Sequence, residues 1–209
     1  MDDLTARETA ETARLLALSD GVIAIAITLL ALEISVPTVP ADASPAVLTA
    51  QVLAQWEDFL GFALSFLVIG LYWVMHRRVF THIETQTRGL VWLNLLFLLF
   101  VAFLPYATAL FSAYPTRFGI AFYAAVLALT GYSLALLWLY ATHEELVHTD
   151  LSTRARRLQL ARYVVTPTVF VLSIPLSYWS PLAAIASWGL VLPINGAFET
   201  RLLGDTDDV

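Results

Sequence analysis

Six long apolar stretches dominate this 209-residue sequence. Each is close to the roughly 17–25 residues that an α-helix needs to cross the hydrocarbon core of a bilayer. We expect spans at about 15–36, 57–80, 88–112, 118–142, 158–179 and 181–201. None of them shows the alternation of apolar and polar residues that is typical of strands. The sequence therefore predicts an all-α, polytopic membrane protein with six transmembrane helices in a single domain, 1–209.

The composition supports a lipid environment and excludes several classes of site. Only 13% of the residues are charged, whereas soluble domains carry about 25%. The absence of cysteine rules out disulfides, thiolate metal sites and cysteine nucleophiles. His143 and His148 resemble part of a zinc signature, but a spacing of five residues puts them about 140° apart on a helix. No phosphate loop, catalytic triad or paired catalytic carboxylates stands out, so we expect no enzyme, no cofactor and no resident metal.

The basic residues predict how the chain is oriented in the membrane. All eleven are arginine, and ten fall in segments that six spans would place on one side; Arg117 is the exception. By the positive-inside rule, that side and both termini are cytoplasmic. The cluster from Arg154 to Arg162 is expected to meet anionic lipid headgroups. The net charge of −6 gives no support to nucleic-acid binding.

The first span differs from the others because it contains two acids, Asp20 and Glu33. A carboxylate costs about 2.5–3.5 kcal/mol at the centre of a span, so Asp20 should have a partner, while Glu33 lies near the opposite end and reaches water. Ile25, Leu29 and Leu32 fall within an arc of about 60°, and Asp20 lies about 140° from Ile25. Spacing alone favours an aliphatic stripe that faces lipid, with Asp20 as a structural cap.

Residues 14–34 read RLLALSDGVIAIAITLLALEI. This stretch resembles the RxxxFSDGVxAIAxTLLxLEI signature of bacterial relatives of the lysosomal and endosomal potassium channel called transmembrane protein 175. The sequence departs from that pattern at Leu18, where phenylalanine is usual, and at Arg77, where a second histidine is common. Further agreement lies in the second and third spans, at Ser65-Phe66, Tyr72-Trp73, His76, Leu93-Asn94-Leu95 and Phe103-Leu104-Pro105.

The resemblance implies a potassium-selective cation channel in the bacterial inner (plasma) membrane. Members of that family are six-span subunits that form homotetramers, with the first helices lining a central pore. Carried over by position, the hydrophobic constriction falls on Ile25 and the next two layers on Leu29 and Leu32, with Thr28 beside them. The permeant ion is then potassium, bound only transiently. The implied partners are further copies of the chain and the lipid bilayer, with no nucleic acid and no obligatory second protein.

The polar residues of the signature are implied to tie the first helix to its neighbours. This set comprises Arg14, Ser19, Asp20, His76 and Asn94. A simpler interpretation makes His76 and the arginines after it an interfacial anchor. Glu33 would concentrate cations at the pore mouth. The alternative function is a proton-coupled secondary transporter, in which Asp20 or Glu33 takes up and releases protons.

Overall fold

The structure is a computed structural model that describes the backbone of residues 2–148 and 151–204, with side chains for 11–148 and 151–202. Within these residues the chain is helical and contains no β-strand, which confirms the all-α fold. The helices are α1 (Asp2–Leu29, continued by the 3-10 turn Leu30–Glu33), α2 (Pro45–Ala54), α3 (Trp56–Thr81), α4 (Arg88–Ala113), α5 (Arg117–His143), α6 (Thr153–Trp179), α7 (Pro181–Trp188) and α8 (Val191–Gly204).

Six helical segments in the described part of the chain are long and apolar enough to cross a membrane, which confirms the six-span architecture. Most of their ends lie close to the expected positions. The fifth span begins at Thr153 rather than near 158, because the Oγ of Ser152 caps the helix by accepting from the backbone N of Ala155 at 3.0 Å. The spans are Glu11–Glu33, Trp56–Thr81, Arg88–Ala113, Arg117–His143, Thr153–Trp179 and Pro181–Leu202.

Prolines shape the later spans. Pro193 lies in the first turn of α8, where the missing N–H removes no helical hydrogen bond. At Gly189 and Leu190, just before that turn, the backbone N–H groups donate to carbonyls three residues back instead of four, so the sixth span consists of two helices. A continuous helix would bring the ring of Pro193 against the carbonyl of Gly189, which explains the break. Helix interiors do contain Pro105, Pro167 and Pro175.

The centre of the bundle is α5, which packs against α4 on one side and α6 on the other. The hydroxyl of Tyr72 in α3 donates to the carbonyl of Leu127 in α5 at 2.7 Å. One turn earlier in α5, the ring of Trp188 packs against Tyr123, and it also packs against Phe111 of α4, with centroids 5.3 and 5.6 Å away. Ring packing and interhelical hydrogen bonds hold helices together where lipid removes the hydrophobic driving force.

The first helix lies at the edge of this arrangement. It packs against α4 and α3 and makes no comparable contact with α5–α8. Only one side of α1 is therefore covered by the rest of the chain.

The loops at the arginine-rich end are paired with each other. Ile83, after α3, and Val147, after α5, form an isolated antiparallel bridge. Next to it, the backbone N of His148 donates to the carbonyl of His82 at 3.0 Å, and the His148 ring contacts Glu84 at 2.6 Å. Among the side chains that the structure describes, those of residues 11–148 and 151–202, there is no group of three or more metal-ligating residues. This end of the bundle is thus held by backbone hydrogen bonds and by the contact between His148 and Glu84.

Candidate functional site

One face of α1 is buried and the opposite face is open. The buried positions recur at helical spacing and pack against α3 and α4. On the open face, Ile25 is 59% exposed, Leu29 40% and Leu32 77%. An apolar stripe of this kind on a span contacts either lipid or another protein chain. The buried positions are Leu15, Ser19, Ile23, Ala26 and Leu30.

Polar and small residues accompany the open face. The hydroxyl of Thr28 is exposed and donates its hydrogen to the carbonyl of Ile25 at 2.9 Å, which leaves lone pairs of the oxygen unoccupied. Gly21 lies on the same side, and a Cβ built there would meet nothing within 4 Å. Glu33 is exposed at the end of the 3-10 turn, far along the helix from the arginines. The open face therefore offers an aliphatic stripe with one available oxygen beside it.

The buried face carries a directional chain of hydrogen bonds. Ser19 donates through Oγ to the carbonyl of Leu15 at 2.9 Å, so it accepts from Nδ2 of Asn94 at 2.9 Å. Oδ1 of Asn94 can only accept, so His76 donates through Nε2 at 2.8 Å. The imidazole stacks on Phe97 with centroids 5.1 Å apart. All three polar residues are fully buried, and they fix α1 to α3 and α4.

Asp20 has a different partner from the rest of the signature. Its Oδ1 accepts from the indole Nε1 of Trp73 at 2.8 Å. The guanidinium of Arg77 lies over the same indole ring, 5.1 Å from the centroid. Arg14 is exposed and bonds to none of these groups among the described residues. The structure thus brings Ser19, Asn94 and His76 together, and joins Asp20 to a tryptophan instead.

Trp73 belongs to the resemblance noted in the sequence, but its hydrogen bond to Asp20 is the contact that sequence reasoning missed. Asp20 predicted a donor nearby, and an indole N–H is a donor suited to the edge of an apolar region. The two residues are 53 positions apart in the sequence, so no local sequence pattern predicts that they meet.

Comparison with known proteins bears on the family of this chain. The family model described as "Endosomal/lysosomal potassium channel TMEM175" matches residues 14–105. A potassium channel of Streptomyces collinus is 35% identical over 187 residues, covering 87% of this chain and 89% of the relative. The chain belongs to the TMEM175 family.

Further relatives of this TMEM175-family chain cover different shares of it. A potassium channel of Chamaesiphon minutus is 32% identical over 84% of the chain and 88% of the relative. The crystal structure of a lysosomal potassium-selective channel TMEM175 homolog from that organism matches with a TM-score of 0.78 and 29% identity, over 90% of this chain and 98% of that one. The human endosomal/lysosomal proton channel TMEM175 is 39% identical over 106 residues, 48% of this chain and 21% of the human protein.

A second buried cluster of this TMEM175-family chain lies mostly outside the matched region. Arg162 in α6 is 2% exposed and donates to Glu199 in α8 at 3.0 Å and to Oδ1 of Asn195 at 2.9 Å. Arg78 in α3 binds the same Glu199 carboxylate with two guanidinium nitrogens. The expectation that Arg162 meets lipid headgroups is wrong, because Arg162 is buried. Its bond to Glu199, which also binds Arg78, connects α6 to α8 and α3. The sequence feature that could have predicted this link is the presence of opposite charges, on Arg162 and Glu199, inside apolar spans.

Proposed function

We propose that the chain assembles as a homotetramer that conducts potassium through a central pore lined by the open face of α1. The observation that carries this proposal is the exposed stripe of Ile25, Leu29 and Leu32 on a helix whose other face is fixed by buried hydrogen bonds. Relatives described as potassium channels cover most of the chain. Membership of the family and the exposed stripe together support an ion path.

The position of α1 explains why several copies are needed. One chain supplies a single α1, which lies at the edge of the bundle. A ring of copies related by rotation would bring the open faces together around an axis and remove them from lipid. Four Ile25 side chains would then form an apolar constriction that closes by dewetting. Glu33 would lie at one mouth and raise the local concentration of cations.

The helical backbone of α1 favours a constriction made by side chains. A filter of carbonyl groups must present oxygens that can replace the hydration shell of an ion. Along α1 the carbonyls are engaged in the helix, and the carbonyl of Ile25 also accepts from Thr28. The hydroxyl oxygen of Thr28 is the oxygen left beside the stripe. A partly hydrated ion is therefore expected to pass an aliphatic ring.

Potassium flux in liposomes tests the constriction. Ile25→Asn is expected to raise conductance and weaken discrimination between potassium and sodium, because an amide keeps the narrowest ring wet. The matched control is Leu172→Asn, on an aliphatic residue of α6 that is 63% exposed. Reversal potentials in planar bilayers under asymmetric potassium and sodium report the selectivity. Unchanged conductance and selectivity in Ile25→Asn would contradict the assignment of the constriction.

The assembly and the alternative function need separate measurements. Size-exclusion chromatography with light scattering in detergent should give a protein mass four times that of the 23.1-kDa chain. A strictly monomeric protein that still moves potassium would contradict a pore on a symmetry axis. Unitary current steps distinguish a channel from a carrier. Potassium movement that requires a proton gradient, and that stops in Asp20→Asn or Glu33→Gln, would favour the secondary transporter.

A further inference from the structure

A groove of about 310 Å³ lies on the surface of α3 near its arginine-rich end. Its lining residues repeat at helical spacing, so they form one face of α3. Val74 is 44% exposed and Arg77 is also exposed, which makes the groove accessible from outside the chain. The lining residues are Trp73, Val74, Arg77, Arg78 and Thr81.

The groove carries an excess of positive charge. Arg78 shares the carboxylate of Glu199 with Arg162, so one acid serves two guanidinium groups. Arg77 makes no ion pair with any residue whose side chain the structure describes, and its guanidinium lies over the Trp73 ring. Asp20, which accepts from Trp73, adds a second acid to this count. The groups at and beside the groove are then three guanidinium groups (Arg77, Arg78 and Arg162) and two carboxylates (Asp20 and Glu199). An anion that enters the groove would meet a net attraction.

The chemistry of the lining points to an amphiphilic anion. Arginine presents a planar fork of donors that matches phosphate oxygens. An indole ring and an exposed valine lie next to the two arginines, and such residues are suited to the boundary between headgroups and acyl chains. We propose that this groove binds the phosphodiester of an anionic phospholipid at the membrane face that carries the arginines. Basic pockets beside transmembrane helices are sites where anionic headgroups bind.

The same groove is connected to the first helix. Arg77 lies over the indole ring of Trp73, and the indole N–H donates to Asp20 in α1 at 2.8 Å. A phosphate that binds Arg77 would therefore also affect the Trp73 ring, whose N–H is bonded to α1. Lipid occupancy would then bias the position of α1 and, resting on the proposed function, the rate of ion flux.

Binding can be measured without any assay of flux. Native mass spectrometry of the full chain in detergent, titrated with dioleoylphosphatidylglycerol, counts bound lipids and gives their affinity. Arg77→Gln is expected to weaken one bound lipid per chain by about fivefold, the effect of one basic side chain near an anionic headgroup. Arg117→Gln is the matched control, because Arg117 is an exposed arginine outside the groove and outside the Arg154–Arg162 cluster, and its guanidinium also lies over an aromatic ring, that of Tyr178.

Three results would overturn the site. The first is equal affinity of wild type, Arg77→Gln and Arg117→Gln for phosphatidylglycerol. The second is equal binding of dioleoylphosphatidylcholine, which would show that the negative charge is not recognised. The third is full displacement by inorganic phosphate at the same concentration, which would show that the groove takes a free anion rather than a lipid.

A second variant tests the connection to α1. Trp73→Phe keeps an aromatic ring beneath Arg77 but removes the hydrogen bond to Asp20. Lipid affinity should persist, while the ratio of potassium flux with phosphatidylglycerol to flux in phosphatidylcholine alone should fall from about fivefold or more towards one. An unchanged ratio would refute the connection. Absence of flux in every protein, with the affinity difference intact, would refute the proposed function and leave the lipid site standing.

Discussion

Alanine substitutions at Ser19 and Asn94, made singly and together, test whether the buried chain of hydrogen bonds fixes α1 to its neighbours. Ser19→Ala removes the acceptor of the Asn94 amide, while the Leu15 carbonyl remains part of the helix. Asn94→Ala removes two interhelical bonds and leaves Nε2–H of His76 without an acceptor. Nδ1 of the same ring already has no partner among the described residues.

The size of each effect follows from the number of bonds lost. An interhelical hydrogen bond in a bilayer contributes about 0.6 kcal/mol on average and about 1.7 at most. Ser19→Ala should therefore cost about 1.6–3.6 kcal/mol of unfolding free energy, because it removes one such bond and leaves a buried N–H of Asn94 without an acceptor. Asn94→Ala should cost about 2–4 kcal/mol, because a stranded buried donor adds about 1–3 kcal/mol. The double variant should cost less than the sum, by the single bond that the two residues share.

Unfolding in mixed micelles of increasing sodium dodecyl sulfate content, followed by tryptophan fluorescence, gives the free energies. Ser177→Ala is the matched control, because Ser177 is fully buried but donates only to the carbonyl of Ile174 in its own helix at 2.7 Å. Its loss should change the unfolding free energy by less than about 0.5 kcal/mol, since that carbonyl keeps its helical bond.

Two results would refute the reasoning. If the costs of Ser19→Ala and Asn94→Ala add within about 0.3 kcal/mol, then the two side chains do not interact. If Ser177→Ala lowers the unfolding free energy as much as Ser19→Ala, then removing any buried hydroxyl has this effect, and the bond between helices is not its cause.

Three further substitutions test other positions. A Cβ at Gly131 would lie 2.8 Å from the Cβ of Pro167, so Gly131→Ala should force α5 and α6 apart and cost about 1–3 kcal/mol. Gly70→Ala, where a Cβ meets nothing within 4 Å, should be neutral or stabilising by up to about 1 kcal/mol, and thermal unfolding compares the two. Glu199→Gln should cost about 1–3 kcal/mol because it leaves the buried charge of Arg162 with a weaker partner. Equal stability of Glu199→Gln and wild type would show that the two arginines need no counter-charge.

Hydrophobicity and residue spacing determined most of the fold. The spans could be found from the sequence because a helix that crosses a bilayer must be apolar along its whole length. The stripe of Ile25, Leu29 and Leu32 could be found because helical periodicity is local. The sequence did not show that Pro45–Ala54 forms a helix separate from the second span, or where the sixth span breaks. The short helix has only ten residues, too few to cross, whereas the break at Gly189 lies inside the sixth span, four residues before Pro193.

The sequence by itself determined that the chain is an all-α membrane protein of six spans and that its first helix has an apolar stripe and an acid on different sides. Only the tertiary structure decided which groups meet. It put Asp20 against Trp73, Asn94 between Ser19 and His76, and Arg162 in the interior beside Glu199. Periodicity reports which face of a helix a residue occupies, because side-chain direction follows from local geometry. It does not report which helix covers that face, because interhelical contacts join residues that are distant in sequence.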